Sequence, residues 1–139
     1  MLIPKKVKHR KWHKGRRRNI RGATDKIELA FGSYGLKALT GAWISARQIE
    51  AARRVLTRYT RRGGKIWIRI FADHPVTKKG NEVPMGAGKG AVDHYISVVK
   101  AGTVMFEMDG IPEASAKTAL ELAAYKLACR CKYITKEIV

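Results

Sequence analysis

Negative charge is scarce in this chain. Asp and Glu total 11 against 29 Lys and Arg, no acid precedes Asp25, and the formal net charge is +18. A body so one-sided repels itself and calls for a polyanion: nucleic acid, an anionic membrane surface or an acidic protein. Long apolar runs are missing as well. None approaches the roughly 18 residues of a spanning helix, so a soluble protein with no membrane partner is expected. Cysteine is reduced to Cys129 and Cys131, too close for a useful structural disulfide and too few for a secreted framework. A reducing compartment is the simpler reading. No apolar signal-peptide core follows Met1-Leu2-Ile3, and the basic start lacks the serines and the leucine-arginine rhythm of a mitochondrial presequence.

Catalytic patterns are also lacking. The glycine-rich run Met85-Gly86-Ala87-Gly88-Lys89-Gly90 is not a nucleotide-binding P-loop. Gly90 stands where a magnesium-binding hydroxyl is needed, and strand-like rather than helical sequence follows. Soft metal ligands are limited to His9, His13, Cys129 and Cys131, and Cys-x-Cys is not the spacing of a zinc knuckle. No nucleophile, base and orienting group come in recognisable order. Neither enzyme activity, nor a metal, nor a cofactor is expected.

What is present is a core-forming body with a cationic arm. The length of 139 residues and the 45% hydrophobic content fit one domain. Residues 1–24 read as a basic arm and residues 25–139 as a single α+β globular domain. In the arm, Lys5, Lys6, Lys8, Arg10, Lys11, Lys14, Arg16, Arg17, Arg18 and Arg21 have almost nothing apolar among them, so order is expected only against a phosphate backbone. Trp12, His9 and His13 are available to stack on bases or hydrogen-bond.

Asp25 to Phe31 reads as a strand, Gly32 to Gly35 as a turn, and Leu36 to Thr40 as a second extended segment. Ser45 with Gln48 is a capping-box pattern and Gly63-Gly64 a stop, which predicts a helix over Ala46 to Arg62. Ile49, Ala52, Leu56 and Tyr59 share its apolar stripe, while Arg47, Arg54, Arg58 and Arg61 lie opposite. A solvated helix face normally mixes signs; here Glu50 is the only acid, and the face, with Arg62, reads as phosphate-tracking. Lys65 to Phe71 alternates strictly as a strand. Its Trp67 and Phe71 suit either RNA stacking or packing under the helix.

Between that strand and Val92 to Val99 lies a loop, residues 72–91, whose Lys78, Lys79 and Lys89 offer only positive charge. Val92 to Val99 and Thr103 to Met108 have hairpin spacing around Lys100-Ala101-Gly102. A second helix is expected over Glu113 to Ala128 and a last strand over Cys131 to Ile138. The fold class is therefore α+β, with a mixed or antiparallel sheet and two packed helices.

Several runs together resemble a known family. They are Met1 to Lys5, His13 to Arg16, Phe31 to Leu36, Ala46 to Arg54, Gly64 to Phe71, Met85 to Gly90 and Phe106 to Gly110. In order, across essentially the whole chain, they look like the bacterial-type large-subunit ribosomal protein L-sixteen family. The resemblance implies an α/β-hammerhead fold bound to large-subunit ribosomal RNA, between the central protuberance and the peptidyl-transferase region. Ribosomal RNA contact would fall to the arm and the arginine helix. Met85, Gly86, Gly88, Lys89 and Gly90, with Lys78 and Lys79, would lie near aminoacyl-site transfer RNA, and the arm would reach the same way. Other large-subunit proteins would be partners, without homo-oligomerisation, in the cytoplasmic ribosome of a bacterium, with an organellar ribosome as the second choice. One departure stands out: the family usually carries an arginine, hydroxylated in some bacteria, where this chain has Pro84. The competing class is a free-standing nucleic-acid chaperone.

Overall fold

The computed structural model describes residues 1–15, 21–60 and 63–136. Arg16, Arg17, Arg18, Arg61 and Arg62, expected at RNA, lie outside the described residues, as does the expected strand end at Ile138. In chain order the elements are β1 (Tyr34–Ala38), β2 (Ala42–Ser45), α1 (Ala46–Thr60), β3 (Lys65–Ile68), β4 (His74–Lys78), β5 (Ala91–Val99), β6 (Val104–Asp109), α2 (Glu113–Ala124) and β7 (Cys131–Thr135). They form two sheets, β3-β6-β1-β7 and β2-β5-β4. Every pairing is antiparallel, which resolves the open choice between a mixed and an antiparallel sheet.

The core lies between the first sheet and the two helices. Leu36, Phe106 and Met108 meet Ile49 and Leu56 of α1 and Leu120 of α2. Ala116, Ala119 and Ala123 are fully buried, and their small side chains let α2 approach closely. The predicted capping box forms reciprocally: Gln48 N–H donates to Ser45 Oγ at 3.2 Å, and Ser45 N–H donates to Gln48 Oε1 at 3.1 Å. The strand β2 therefore passes into α1 with no linker, its terminal donors already satisfied.

Glu107, in the middle of β6, has no exposed surface. Its Oε1 accepts the backbone N–H groups of Ala30, Phe31 and Gly32 at 2.8, 3.0 and 3.2 Å. Its Oε2 lies 3.4 Å from Arg69 Nε. Arg69 in turn donates to the Glu28 carbonyl at 2.6 Å and sits 5.7 Å from the Phe31 ring centre, and Phe31 stacks on Trp67 at 6.1 Å. One buried carboxylate thus fastens the segment before β1 onto the sheet.

That arrangement corrects several expectations. Asp25 to Phe31 is not a strand, and its last two N–H groups, those of Ala30 and Phe31, go to the Glu107 side chain instead of a ladder. Trp67 packs on Phe31 from that segment rather than under α1. Tyr34 and Gly35, expected in a turn, begin β1, and Ala42 to Ser45, passed over in the sequence, pair with β5. The hairpin between β5 and β6 is absent. At Gly102, φ of 96° turns the chain, Gly102 N–H donates to the Ala38 carbonyl at 2.7 Å, and Ala38 N–H donates to the Thr103 carbonyl at 2.8 Å. The end of β1 captures the chain there, and β6 runs beside β1 and β3 in the other sheet.

The long loop is shorter than expected, since His74–Lys78 forms β4 and pairs with β5. Pro75, which cannot donate to a ladder, sits in this edge strand where the loss is tolerated. The strand begun at Lys65 ends at Ile68, and α2 ends at Ala124, where the N–H groups of Lys126 and Leu127 tighten to three-residue bonds.

Two predictions follow from these contacts. Glu107→Ala should lower the unfolding free energy by about 3–5 kcal/mol, the cost of stranding a largely buried guanidinium and three backbone donors. Glu107→Gln, which keeps an acceptor oxygen, should lose less; urea midpoints equal to wild type would refute the role. The second concerns Glu50, whose carboxyl is lowered from 4.5 to about 2, first by its hydrogen bonds from Arg53 and then by the charges of Arg53, the amino terminus and Arg54. A lowered folded value means the unfolded chain binds the proton first as pH falls, so this contribution is present above about 4.5 and lost toward about 2. The thermal midpoint of Glu50→Gln should lie below wild type at neutral pH and converge with it as pH approaches 2. A pH-independent gap would contradict the linkage.

Candidate nucleic-acid interface

The arm over residues 1–15 forms neither helix nor strand, yet it is tied down at both described ends. Leu2 packs against the core, and the amino terminus is close enough to α1 to bias Glu50. Farther along, Trp12 sets its ring edge-on to His74 at 5.3 Å and donates from its indole N–H to the His9 carbonyl at 3.2 Å. His74, only 2% exposed, also faces Trp43 at 5.8 Å. Trp12 is thus half-buried, while Lys5, Lys6, Lys8, Arg10, Lys11, His13 and Lys14 are exposed.

The arm meets the glycine loop through an exchange of lysines. Lys11 Nζ donates to the Lys89 carbonyl at 3.1 Å, and Lys89 Nζ donates back to the Trp12 carbonyl. Two segments 77 and 78 residues apart in sequence become one surface. Lys89 is turned back toward the arm. Beside it a groove of about 1120 Å³ is lined by Trp12, Arg21, Lys26, Phe71, His74 and Lys100.

The loop's tip has an unusual backbone. Gly86, Ala87 and Gly88 take φ values of 132°, 58° and 96° in succession. A Cβ added at Gly86 or Gly88 would meet nothing within 4 Å, so backbone conformation, not space, calls for glycine there. Lys79 Nζ donates to the Gly86 carbonyl at 2.6 Å and braces the tip. Met85 is 97% exposed, and Lys78 is exposed at the end of β4. Gly90 lets the returning chain pass close to the Lys78 carbonyl.

On α1, Arg47, Arg54 and Arg58 are exposed as the stripe predicts. Arg53 and Arg54 lie 2.6 and 3.5 Å from Glu50, so this lone acid neutralises part of the face. Sequence reasoning missed Glu107, Arg69 and Phe31 as the fastening that carries the arm's root, and His74 as the seat of Trp12. An acid inside the apolar run Val104-Met105-Phe106-Glu107-Met108 was the available signal, because such a residue needs buried partners. Among the described residues, no group of three or more His, Cys, Asp or Glu side chains could hold a metal, and no helix is long and apolar enough to cross a membrane.

A small basic α+β domain that presents cationic arm, loop and helix on a hydrogen-bonded frame belongs to the class of structural proteins built around charge rather than around a catalytic pocket. Residues 4–134 match the family model of ribosomal protein L16p/L10e, and the chain belongs to that family. Relatives named large ribosomal subunit protein uL16c are 56% identical over 137 residues in Phaeodactylum tricornutum (99% of this chain, 98% of the relative) and 52% over 138 in Cyanidium caldarium (99% and 96%). The uL16c of Physcomitrium patens is 50% identical over 135 residues (97% and 96%). The chain is a ribosomal protein of the large subunit, structural and not an enzyme. The expected bacterial cytoplasmic location is overturned: uL16c is the chloroplast protein of algae and plants, which indicates an organellar ribosome.

Removing the indole should loosen the arm without unfolding the body. An edge-on aromatic pair contributes about 0.5–1.5 kcal/mol, so Trp12→Ala should speed tryptic cleavage after Lys11 and Lys14 by about 3- to 10-fold. Unchanged cleavage rates would show that Trp12 does not hold the arm.

Proposed function

We propose that this protein binds large-subunit ribosomal RNA through its arm and the arginine face of α1, near the peptidyl-transferase region and the central protuberance. The loop Lys78 to Gly90 approaches aminoacyl-site transfer RNA, and the protein supports translation by supplying position and counter-charge. The observation that carries this reading is the lysine exchange between Lys11 and Lys89, which merges arm and loop into one cationic surface on a chain of net charge +18. Family membership supports the ribosomal setting. Guanidinium groups on α1 suit paired phosphate oxygens, and the glycines at the tip suit a close backbone approach to a nucleic acid.

The chemistry predicts an interaction dominated by counterion release. Binding of the full chain to a large-subunit RNA fragment should weaken linearly on a log-log salt scale, with a slope of about −0.7 to −0.9 per neutralised phosphate. Replacing Lys5, Lys6 and Lys8 together by Gln should make that slope shallower. A salt-independent affinity, or a slope indifferent to the triple substitution, would contradict phosphate tracking by the arm. Chemical probing of transfer RNA on ribosomes carrying Lys89→Ala tests the loop: protection at the aminoacyl site should fall, and an unchanged pattern would remove the loop from that role.

A further inference from the structure

We propose that Cys129 and Cys131 form a modification site for small anionic disulfides, at which the pair passes from dithiol to an intramolecular disulfide. The two Sγ atoms lie 3.6 Å apart. Both side chains are half-buried and line a groove of about 800 Å³ that also exposes Lys117, Arg130 and Lys132 against one acid, Glu121. Access and a local excess of cations suit a negatively charged reagent such as glutathione disulfide.

The thiols are not equivalent. The hydrogen bond shared with Cys131 lowers the Cys129 thiol, while the same bond and burial push the Cys131 thiol up. Cys131 Sγ also donates to the Cys129 carbonyl at 3.4 Å, which holds its proton, so Cys129 takes the attacking part and Cys131 the resolving one. In the first step Cys129 Sγ bonds to one sulfur of glutathione disulfide and the other leaves as glutathione thiolate. In the second, Cys131 gives up its proton, attacks Cys129 Sγ and displaces the second glutathione thiolate. Two protein thiols are oxidised by two electrons, one disulfide is reduced to two thiols, and the two protons released end on glutathione.

The ring so closed contains Arg130 alone between its cysteines, and Arg130 is held to β1's far end: its carbonyl accepts Leu39 N–H at 2.7 Å, and its N–H donates to Thr40 Oγ1 at 3.1 Å. With one residue in the ring and that residue tied on both sides, the corner has little freedom to relax as the sulfurs close from 3.6 Å to a bond of about 2 Å. A strained, accessible disulfide is readily reduced again, which suits a reversible mark rather than a structural staple.

The test equilibrates the full-length reduced protein with mixtures of oxidised and reduced glutathione, quenches in acid, labels with a maleimide and reads intact mass. Wild type should convert to a species two hydrogens lighter that takes no label. Cys131→Ser should stop at a glutathione adduct on Cys129, and Cys129→Ser, left without a second thiol, should likewise go no further than a mixed disulfide. At low salt, cationic cystamine should react more slowly than glutathione disulfide, and equal rates would overturn the anion preference. Wild type that stays doubly labelled across the series, or that ends as a stable mixed disulfide or a disulfide-linked dimer, would overturn the site.

Discussion

The buried carboxylate of Glu107 is the constraint on which the rest of the architecture leans. It stands in β6, between β3 and β1 in the first sheet, where water cannot solvate it. Three backbone donors and the Arg69 guanidinium replace that water. An ionised group in such a position is tolerable only with this number of partners, so the partners are fixed as firmly as the charge. Fixing Ala30 to Gly32 sets the entry to β1, and a side chain at Gly32 is forbidden because its Cβ would fall 2.5 Å from the Met108 carbonyl oxygen. The close approach of backbone to strand and the carboxylate's reach to three N–H groups are one arrangement.

From that anchor the cationic segments acquire their places. Lys26 accepts the Val104 N–H with its carbonyl at 2.7 Å, and Ala23 N–H donates to the Ala101 carbonyl at 2.8 Å, so the chain leading out of the arm is tied to the crossing between the two sheets. The second sheet carries β4, where His74 seats Trp12, and β4 leads into the glycine loop whose Lys89 meets the arm again. Arm and loop are thus both tied to the same pair of sheets and meet beside β4 of the second one.

What could be read in the sequence was what depends on neighbours along the chain. The capping box at Ser45 and Gln48, the apolar stripe of α1 and the start of β3 are local patterns, and each stands where periodicity puts it. Partnerships between distant residues were not legible. Alternation around Lys100 to Gly102 fits a hairpin equally well, and only the capture of Gly102 and Thr103 by Ala38 sends β6 to the other sheet. Asp25 to Phe31 has strand composition, but a carboxylate more than seventy residues later takes the donors of Ala30 and Phe31. For the candidate interface, the charges of arm, loop and helix were plain, whereas the lysine exchange and the burial of Trp12 against His74 need the folded chain.

The distribution of the few acids completes the physical picture. Glu107 is spent inward on backbone and Arg69, and Asp109 accepts Ser33 Oγ at 3.3 Å and Gly110 N–H at 2.8 Å. Glu50 braces two arginines on α1. Glu107 and Asp109 hold the fold, while Glu50 offsets part of the cationic face of α1. Lys11, Lys79 and Lys89 meanwhile rest on backbone carbonyls, which accept hydrogen bonds without carrying a formal charge. Such contacts orient an ammonium but do not neutralise it, so the arm and loop keep their full attraction for phosphate while already standing together. A chain with more acid on this face would be easier to keep folded alone and would bind a polyanion less well; the scarcity of negative charge is the physical expression of that choice.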